Sequence, residues 1–296
     1  MIRFSKKNGC CNAPYSVNIS VTERCPLRCP FCFHEYDNYN ELSFSSICGY
    51  IDELASMGTV QVQFSGGEPL VYRQIFDSIA YAHSKGMRVV ISTSGVSVTE
   101  DVTKKLMEAG LDCCYISLNG STAKVHEVTR DGFRFAINAL EIFKKMGMPS
   151  AINWVASHDN VKDLRKLVSL AKSMGVKHIS VIPMKKCGGG RVIEELTEED
   201  LVYLWEYCKS NRNYLIIESC FEEFFREIKC KKSVSSGCRA GKFYMAVNAR
   251  GEFLGCPHLF GTATTAETIK EYWNYNERLS QLRCRDGNSC LSGLSE

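Results

Sequence analysis

Six short apolar segments rich in Val and Ile recur along the first two-thirds of the chain, at 16–21, 60–64, 88–92, 113–118, 151–155 and 178–183. Each reads as a buried strand, and stretches of helical periodicity lie between them. In "FRFAINALEIFKKMG" the apolar residues Phe135, Ile137, Leu140 and Phe143 fall near one helical face. Gly86, Gly110, Gly147 and Gly175 each stand where such a helix should stop. Strand, helix, strand in that order predicts parallel pairing through right-handed crossovers. Six such units give an α/β fold, either an incomplete (β/α)6 barrel or a doubly wound open sheet, and the alternation alone does not choose. In both, the loops after the strands gather at one face, where the site is expected. The alternation ends with "LTEEDLVYLWEYCKSN", a helix with Thr197 as N-cap and Asp200 completing a box-like start. From about Cys230 the character changes: "KFYMAVNARGEFLGC" predicts a β-hairpin turning at 248–251, with the remaining cysteines around it.

The loop after the first strand carries the chemistry. It reads "ERCPLRCPFCF", residues 23–33, with Cys25, Cys29 and Cys32 inside eight positions. Sixteen cysteines in 296 residues exceed what core packing uses. No apolar run is long enough for a signal peptide or a membrane span, which points to the reducing cytoplasm and to cysteines as metal ligands or redox groups. The net charge of +3, without long blocks of one sign, gives no nucleic-acid groove and no membrane-binding surface. Three thiolates can hold three irons of a four-iron cluster and leave the fourth iron open to a substrate or cofactor. Pro26 and Pro30 keep the loop from winding into a helix, while Phe31 and Phe33 bracket Cys32 with apolar surface. A zinc site lacking one ligand, or accidental clustering, are the blander alternatives.

The spacing Cys-x3-Cys-x2-Cys, with an aromatic residue before the last Cys, resembles the radical S-adenosylmethionine enzymes. The resemblance implies the partial barrel, a [4Fe–4S] cluster on Cys25, Cys29 and Cys32, and S-adenosylmethionine at the open iron. "FSGGEPL" after the second strand resembles the family motif that holds the methionine amino group, so Gly66, Gly67 and Glu68 are expected there. Two glycines admit close backbone approach, and a carboxylate suits an ammonium. "STSG" after strand three offers Ser92 and Ser94, and "YISLNG" at strand four offers Ser117 and Asn119, as ribose contacts; polar strand ends would look the same. "VIPM" resembles the adenine contact and offers Val181, which could equally be core. "HEVTRDGF" resembles a stretch of peptide-modifying members in which Arg130 reaches the cofactor carboxylate, and Phe31 belongs to the same pocket.

Near the C-terminus, Cys238, Cys256, Cys284 and Cys290 are four further thiols, and four thiolates can saturate a cluster or a tetrahedral zinc. "CRAGKFYMAVNARGEFLGC" resembles the auxiliary-cluster extension called SPASM, or Twitch in its one-cluster form. Gln281 and Leu294 stand where the longer pattern has cysteines, so the resemblance implies one auxiliary [4Fe–4S] cluster on those four residues, with Cys230 in reserve. The organisation expected is an extension at 1–14, the barrel at 15–212, a connecting segment at 213–237 and a Twitch-like module at 238–296. Cys187 and Cys220 read as buried core residues; facing the cavity, either could return a hydrogen atom to a substrate radical. Cys48, Cys113, Cys114 and Cys208 look structural, and Cys10 and Cys11 fall in a mobile start.

The resemblance implies that an electron passes from the cluster to the bound sulfonium, giving methionine and a 5'-deoxyadenosyl radical that takes hydrogen from substrate. The substrate expected is a ribosomally made peptide, undergoing epimerisation, thioether formation or carbon–carbon crosslinking. A separate peptide-recognition protein and a flavodoxin- or ferredoxin-type electron donor are the expected partners. Dehydrogenation of a small-molecule alcohol or cofactor precursor is the second expectation. A non-catalytic iron-sulfur or zinc scaffold is the third.

Overall fold

The structure, a computed structural model, describes residues 2–5, 10–34, 39–221, 238–259, 264, 266 and 268–284. Two short strands open the chain, β1 (Phe4–Ser5) and β2 (Cys10–Cys11), paired antiparallel. Six parallel strands follow: β3 (Ser16–Thr22), β4 (Gln61–Gly66), β5 (Arg88–Thr93), β6 (Cys113–Ser117), β7 (Ser150–Ala156) and β8 (Ile179–Pro183). Each matches a segment expected from sequence to within two residues at either end. Three more join them: β9 (Leu215–Ile217), β10 (Tyr244–Val247) and β11 (Phe253–Leu254).

The spatial order of the large sheet is β11, β10, β3, β4, β5, β6, β7, β8, β9. From β3 to β9 every new strand adds on the same side, so the order never reverses as it must in a doubly wound sheet. Right-handed crossovers then place all the connecting helices on one face, and the sheet curls away from them into a partial barrel. The curl brings the edges together: Tyr244 on β10 lies within electrostatic reach of Glu218 and Cys220, which follow β9 at the other edge.

The two faces of each strand differ in kind. Val17, Ile19 and Val21 of β3 and Val62 and Phe64 of β4 join the large core beneath the helices, where each is fully buried. Fully burying such a side chain contributes roughly 1.5–3 kcal/mol. Alternate residues line the concave face, where Val90, Cys113 and Ala151 form a small apolar floor with Tyr115 against it. The helices are α1 (Phe44–Met57), α2 (Ile75–Ser84), α3 (Glu100–Glu108), α4 (Ala123–His126), α5 (Phe133–Met146), α6 (His158–Val161), α7 (Leu164–Ser173) and α8 (Glu198–Ser210). Their ends follow the sequence signals. Thr197 and Asp200 form the expected capping box, and Gly147 ends α5 at φ 74°.

The buried face of α5 differs from the one expected. Ala136, Ala139, Leu140 and Phe143 are buried, whereas Phe135 is 39% exposed and Ile137 is only partly covered. The turn after β5 is the cause: a Cβ on Gly95 would lie 2.9 Å from the Ala139 Cβ and 2.9 Å from the Phe135 carbonyl oxygen. Only the small alanine face of the helix fits against that turn.

The start of the chain is held firmly. Cys10 and Cys11, expected in a mobile segment, are 6% and 3% exposed. Cys11 N–H donates to the Lys242 carbonyl at 2.9 Å, and its own carbonyl accepts from Trp273 Nε1 at 3.0 Å. Trp273 sits in α9 (Ile269–Tyr275), followed by α10 (Glu277–Cys284), whose Arg283 stacks over the Trp273 ring. The expected hairpin is present as β10 and β11, with Val247 opposite Phe253 and Gly251 at φ 81° in the turn. Its first strand pairs parallel with β3, which ties this stretch to the barrel edge.

Candidate active site

The loop after β3 carries Cys25, Cys29 and Cys32 at the C-terminal mouth of the barrel, and three segments back it. Beneath it lies the 126–132 stretch: Phe31 N–H donates to the Thr129 carbonyl at 3.2 Å, and Arg28 N–H to Asp131 Oδ2 at 2.7 Å. Asp131 N–H in turn points at the Cys29 sulfur, 3.4 Å away. Beside it lies "CGGG" after β8, where Gly189 N–H donates to the Cys32 carbonyl at 2.7 Å. A Cβ on Gly189 would lie 2.0 Å from the Pro30 carbonyl oxygen, so only glycine admits this contact. The third segment is the exit of β4, where Gly67 N–H bonds the Thr22 carbonyl at 2.7 Å and Glu68 N–H the Arg24 carbonyl at 2.8 Å. Cβ atoms on Gly66 and Gly67 would lie 2.2 Å from the Thr22 oxygen and 2.4 Å from the Arg24 oxygen. The two glycines thus let this turn close onto the cysteine loop itself.

The donor set fits an iron-sulfur cluster. Three soft thiols with no carboxylate among them share one loop, and Cys29 is 7% exposed, with an N–H donor aimed at its sulfur. Among the described residues no three His, Cys, Asp or Glu side chains converge as tightly as a single ion requires. Burial, followed by the nearby Glu68, Cys29 and Cys32, pushes the Cys25 thiol up to about 11, against a hydrogen bond from the Leu27 backbone that lowers it. Ligation by iron would replace that proton.

Glu68 is 1% exposed and fully engaged by protein donors. Its Oε1 accepts from Thr93 Oγ1 at 2.6 Å and Leu70 N–H at 3.1 Å; its Oε2 accepts from Ser94 N–H at 2.8 Å and Ser94 Oγ at 2.6 Å. Asn119 is likewise committed to the fold. It is fully buried; its side chain donates to Thr129 Oγ1 at 2.8 Å and accepts from Val155 N–H at 3.0 Å, while its N–H meets His126 Nδ1 at 3.1 Å. Val181 is fully buried in the core beneath the helices, so its side chain faces away from the lumen and only its backbone remains for an adenine.

The other expected residues stay at the mouth or in the lumen. Arg130 places its guanidinium 5.0 Å from the centre of the Phe31 ring. Ser117 is half-buried at the end of β6. Ser92 Oγ accepts from Gln63 Nε2 at 2.6 Å and from Asn153 Nδ2 at 3.1 Å. Further round, Ser65 Oγ donates to Asn18 Oδ1 at 2.7 Å and sits 3.4 Å from Ser20 Oγ. Three of these bonds cross neighbouring strands and the fourth reaches from β7 to β5 past β6, making a belt of amides and hydroxyls along the concave face. The belt, and Asp131, went unrecognised in the sequence. The alternation of polar residues along β3 and β4 was the available signal.

Cys187 is 5% exposed in the loop after β8, its sulfur 3.8 Å from His258 Nδ1, and Phe33 packs edge-on against that imidazole. Cys220 is half-buried in the turn Ser219–Phe221. Cys238 and Cys256 flank the hairpin, both half-buried. Cys284 ends α10, while Cys290 and Cys230 lie outside the described residues. A groove of about 580 Å3 lined by Lys172, Lys209, Arg212 and Tyr214 lies at the N-terminal end of β9, the face opposite the cysteine loop, and takes no part in this site.

A parallel partial barrel with a three-cysteine loop at its C-terminal mouth defines a class of iron-sulfur enzyme that binds S-adenosylmethionine. The chain belongs to the radical SAM superfamily, whose model matches residues 19–171. It is 26% identical to the AdoMet-dependent heme synthase of Methanosarcina barkeri, over 92% of this chain and 85% of that protein. It is 30% identical to the PqqA peptide cyclase of Granulibacter bethesdensis, over 60% of this chain and half of that longer protein. Its fold superposes on Streptococcus suis SuiB bound to the precursor peptide SuiA with a TM-score of 0.81 at 20% identity, covering 95% of this chain and 69% of that one. Membership implies a [4Fe–4S] cluster and S-adenosylmethionine. No helix among the described residues is long and apolar enough to cross a membrane.

Proposed function

We propose that this enzyme modifies a ribosomally made peptide at an unactivated carbon. Cys25, Cys29 and Cys32 would hold the cluster, which with S-adenosylmethionine would supply a 5'-deoxyadenosyl radical for hydrogen abstraction. The chain's own residues hold, orient and shield. The observation that carries the proposal is the belt of Asn18, Ser20, Gln63, Ser65, Ser92 and Asn153. Uncharged donors and acceptors in series match the amide groups of an extended backbone. The similarity to SuiB and to the PqqA peptide cyclase supports the same substrate class.

Within this proposal Cys220, half-buried beyond β9, is the hydrogen-atom donor if the outcome is epimerisation, because Cys187 is buried against His258. An auxiliary [4Fe–4S] cluster on Cys238, Cys256, Cys284 and Cys290 would relay an electron to or from the substrate radical, with a flavodoxin- or ferredoxin-type protein as the external donor. A separate recognition protein would deliver the peptide.

A second substrate class, a tetrapyrrole, is favoured by the match to a heme synthase along 92% of the chain. The test is mass spectrometry of products formed anaerobically in deuterated water from reconstituted enzyme, S-adenosylmethionine, a strong reductant and any short peptide encoded beside the gene. Deuterium at an α-carbon means epimerisation; loss of hydrogens without label means a crosslink or dehydrogenation. An unchanged peptide with accumulating 5'-deoxyadenosine, together with conversion of an iron porphyrin, would replace the peptide by a tetrapyrrole.

A further inference from the structure

We infer that Glu68 is a positioning residue that locks the turn after β5 to the cysteine loop, acting through Thr93 and Ser94, and that its carboxylate does not touch the ammonium of S-adenosylmethionine. The inference rests on the S-adenosylmethionine pocket being at this mouth, and holds whichever substrate the enzyme takes.

A carboxylate has about four lone-pair directions, and here all four are filled. Leu70 N–H and Thr93 Oγ1 occupy Oε1; Ser94 N–H and Ser94 Oγ occupy Oε2. With 1% of the residue exposed, an incoming ammonium would have to displace one of these donors and leave it buried without a partner. The Thr93 and Ser94 hydroxyls approach the carboxylate at 2.6 Å and the Ser94 N–H at 2.8 Å.

The same residue works in the other direction through its backbone. Glu68 N–H holds the carbonyl of Arg24, the residue before Cys25, and Gly67 N–H holds Thr22. Thr93 Oγ1, while donating to Glu68, also accepts from Gly95 N–H at 3.0 Å, which sets the 93–95 turn. One side chain and its amide therefore join the exits of β3, β4 and β5. These bonds tie the cysteine loop to the wall that carries Ser94.

The test is anaerobic titration calorimetry of reconstituted enzyme with two probes: S-adenosylmethionine, and its desamino analogue with hydrogen in place of the α-amino group. Glu68→Gln is expected to weaken both by the same factor, about tenfold or more, because its amide turns a donor toward Ser94. Thr93→Val, at a side chain 2% exposed that faces Glu68, is expected to weaken both equally, and Thr93→Ser to restore them. The inference is overturned if Glu68→Gln weakens S-adenosylmethionine tenfold while the desamino analogue binds as to wild type. Should Glu68→Gln not fold, Thr93→Val decides: unchanged affinity for both probes overturns the inference. The cluster's visible spectrum, recorded on each variant, separates loss of the pocket from loss of iron.

Discussion

The main-chain N–H of Asp131 lies 3.4 Å from the sulfur of Cys29, while the Asp131 carboxylate holds the N–H of Arg28 at 2.7 Å. A residue more than a hundred positions downstream thus shapes the cysteine loop from both its backbone and its side chain.

Asp131→Ala keeps the N–H and removes the carboxylate. It is expected to destabilise the loop by about 1–2 kcal/mol, since one charge-assisted bond is lost at a partly exposed site. Urea denaturation should show the loss, and anaerobic reconstitution should yield less iron per chain than wild type.

Gly67→Ala places a methyl group 2.4 Å from the Arg24 oxygen and 2.5 Å from the Glu23 oxygen. Forcing backbone apart at such a contact typically costs about 1–3 kcal/mol, and here it would open the joint between β4 and the cysteine loop. Loss of S-adenosylmethionine binding is expected at near-normal helix content. Gly49→Ala, in mid-α1 with nothing within 4 Å of the new methyl, is the opposite case and should stabilise by about 1 kcal/mol. Thermal melts of the two variants should move in opposite directions.

His126 is 1% exposed, and burial with the nearby Arg130 brings its imidazole down to about 4, against Asp131, which raises it. The unfolded chain takes up this proton near pH 6.5, while the folded chain resists until about 4. Stability therefore falls as pH drops from 6.5 toward 4, by on the order of 3 kcal/mol, and levels off below. His126→Gln should remove that part of the slope when wild type and variant are compared by urea denaturation across this range.

Much of the fold was legible because parallel strands buried on both sides leave apolar runs that a period of two or 3.6 cannot hide. Those runs placed β3 through β8, and glycines at 86, 110, 147 and 175 marked the helix ends. The three residues of β9 were too few for such a signal, and β10 joins β3 only through a contact more than two hundred residues long. The cysteine loop was legible because its chemistry lies in spacing along the chain. The hydrogen bonds around Glu68 and Asn119 were not, since motif position says which residue is present but not which neighbours bond it, here Thr93, Ser94 and Leu70, or Thr129 and Val155. The face of α5 was misjudged for a related reason: Gly95 selects alanines there by contact, and hydrophobicity alone favours Phe135.

The most direct test of the account is formation of 5'-deoxyadenosine by anaerobically reconstituted wild type and by the Cys25→Ala, Cys29→Ala, Cys32→Ala triple variant, each with S-adenosylmethionine and dithionite. The account predicts 5'-deoxyadenosine and methionine from wild type and none from the variant, with the variant still folded by circular dichroism. Equal 5'-deoxyadenosine from both would contradict it, because the radical chemistry would then not arise at this loop.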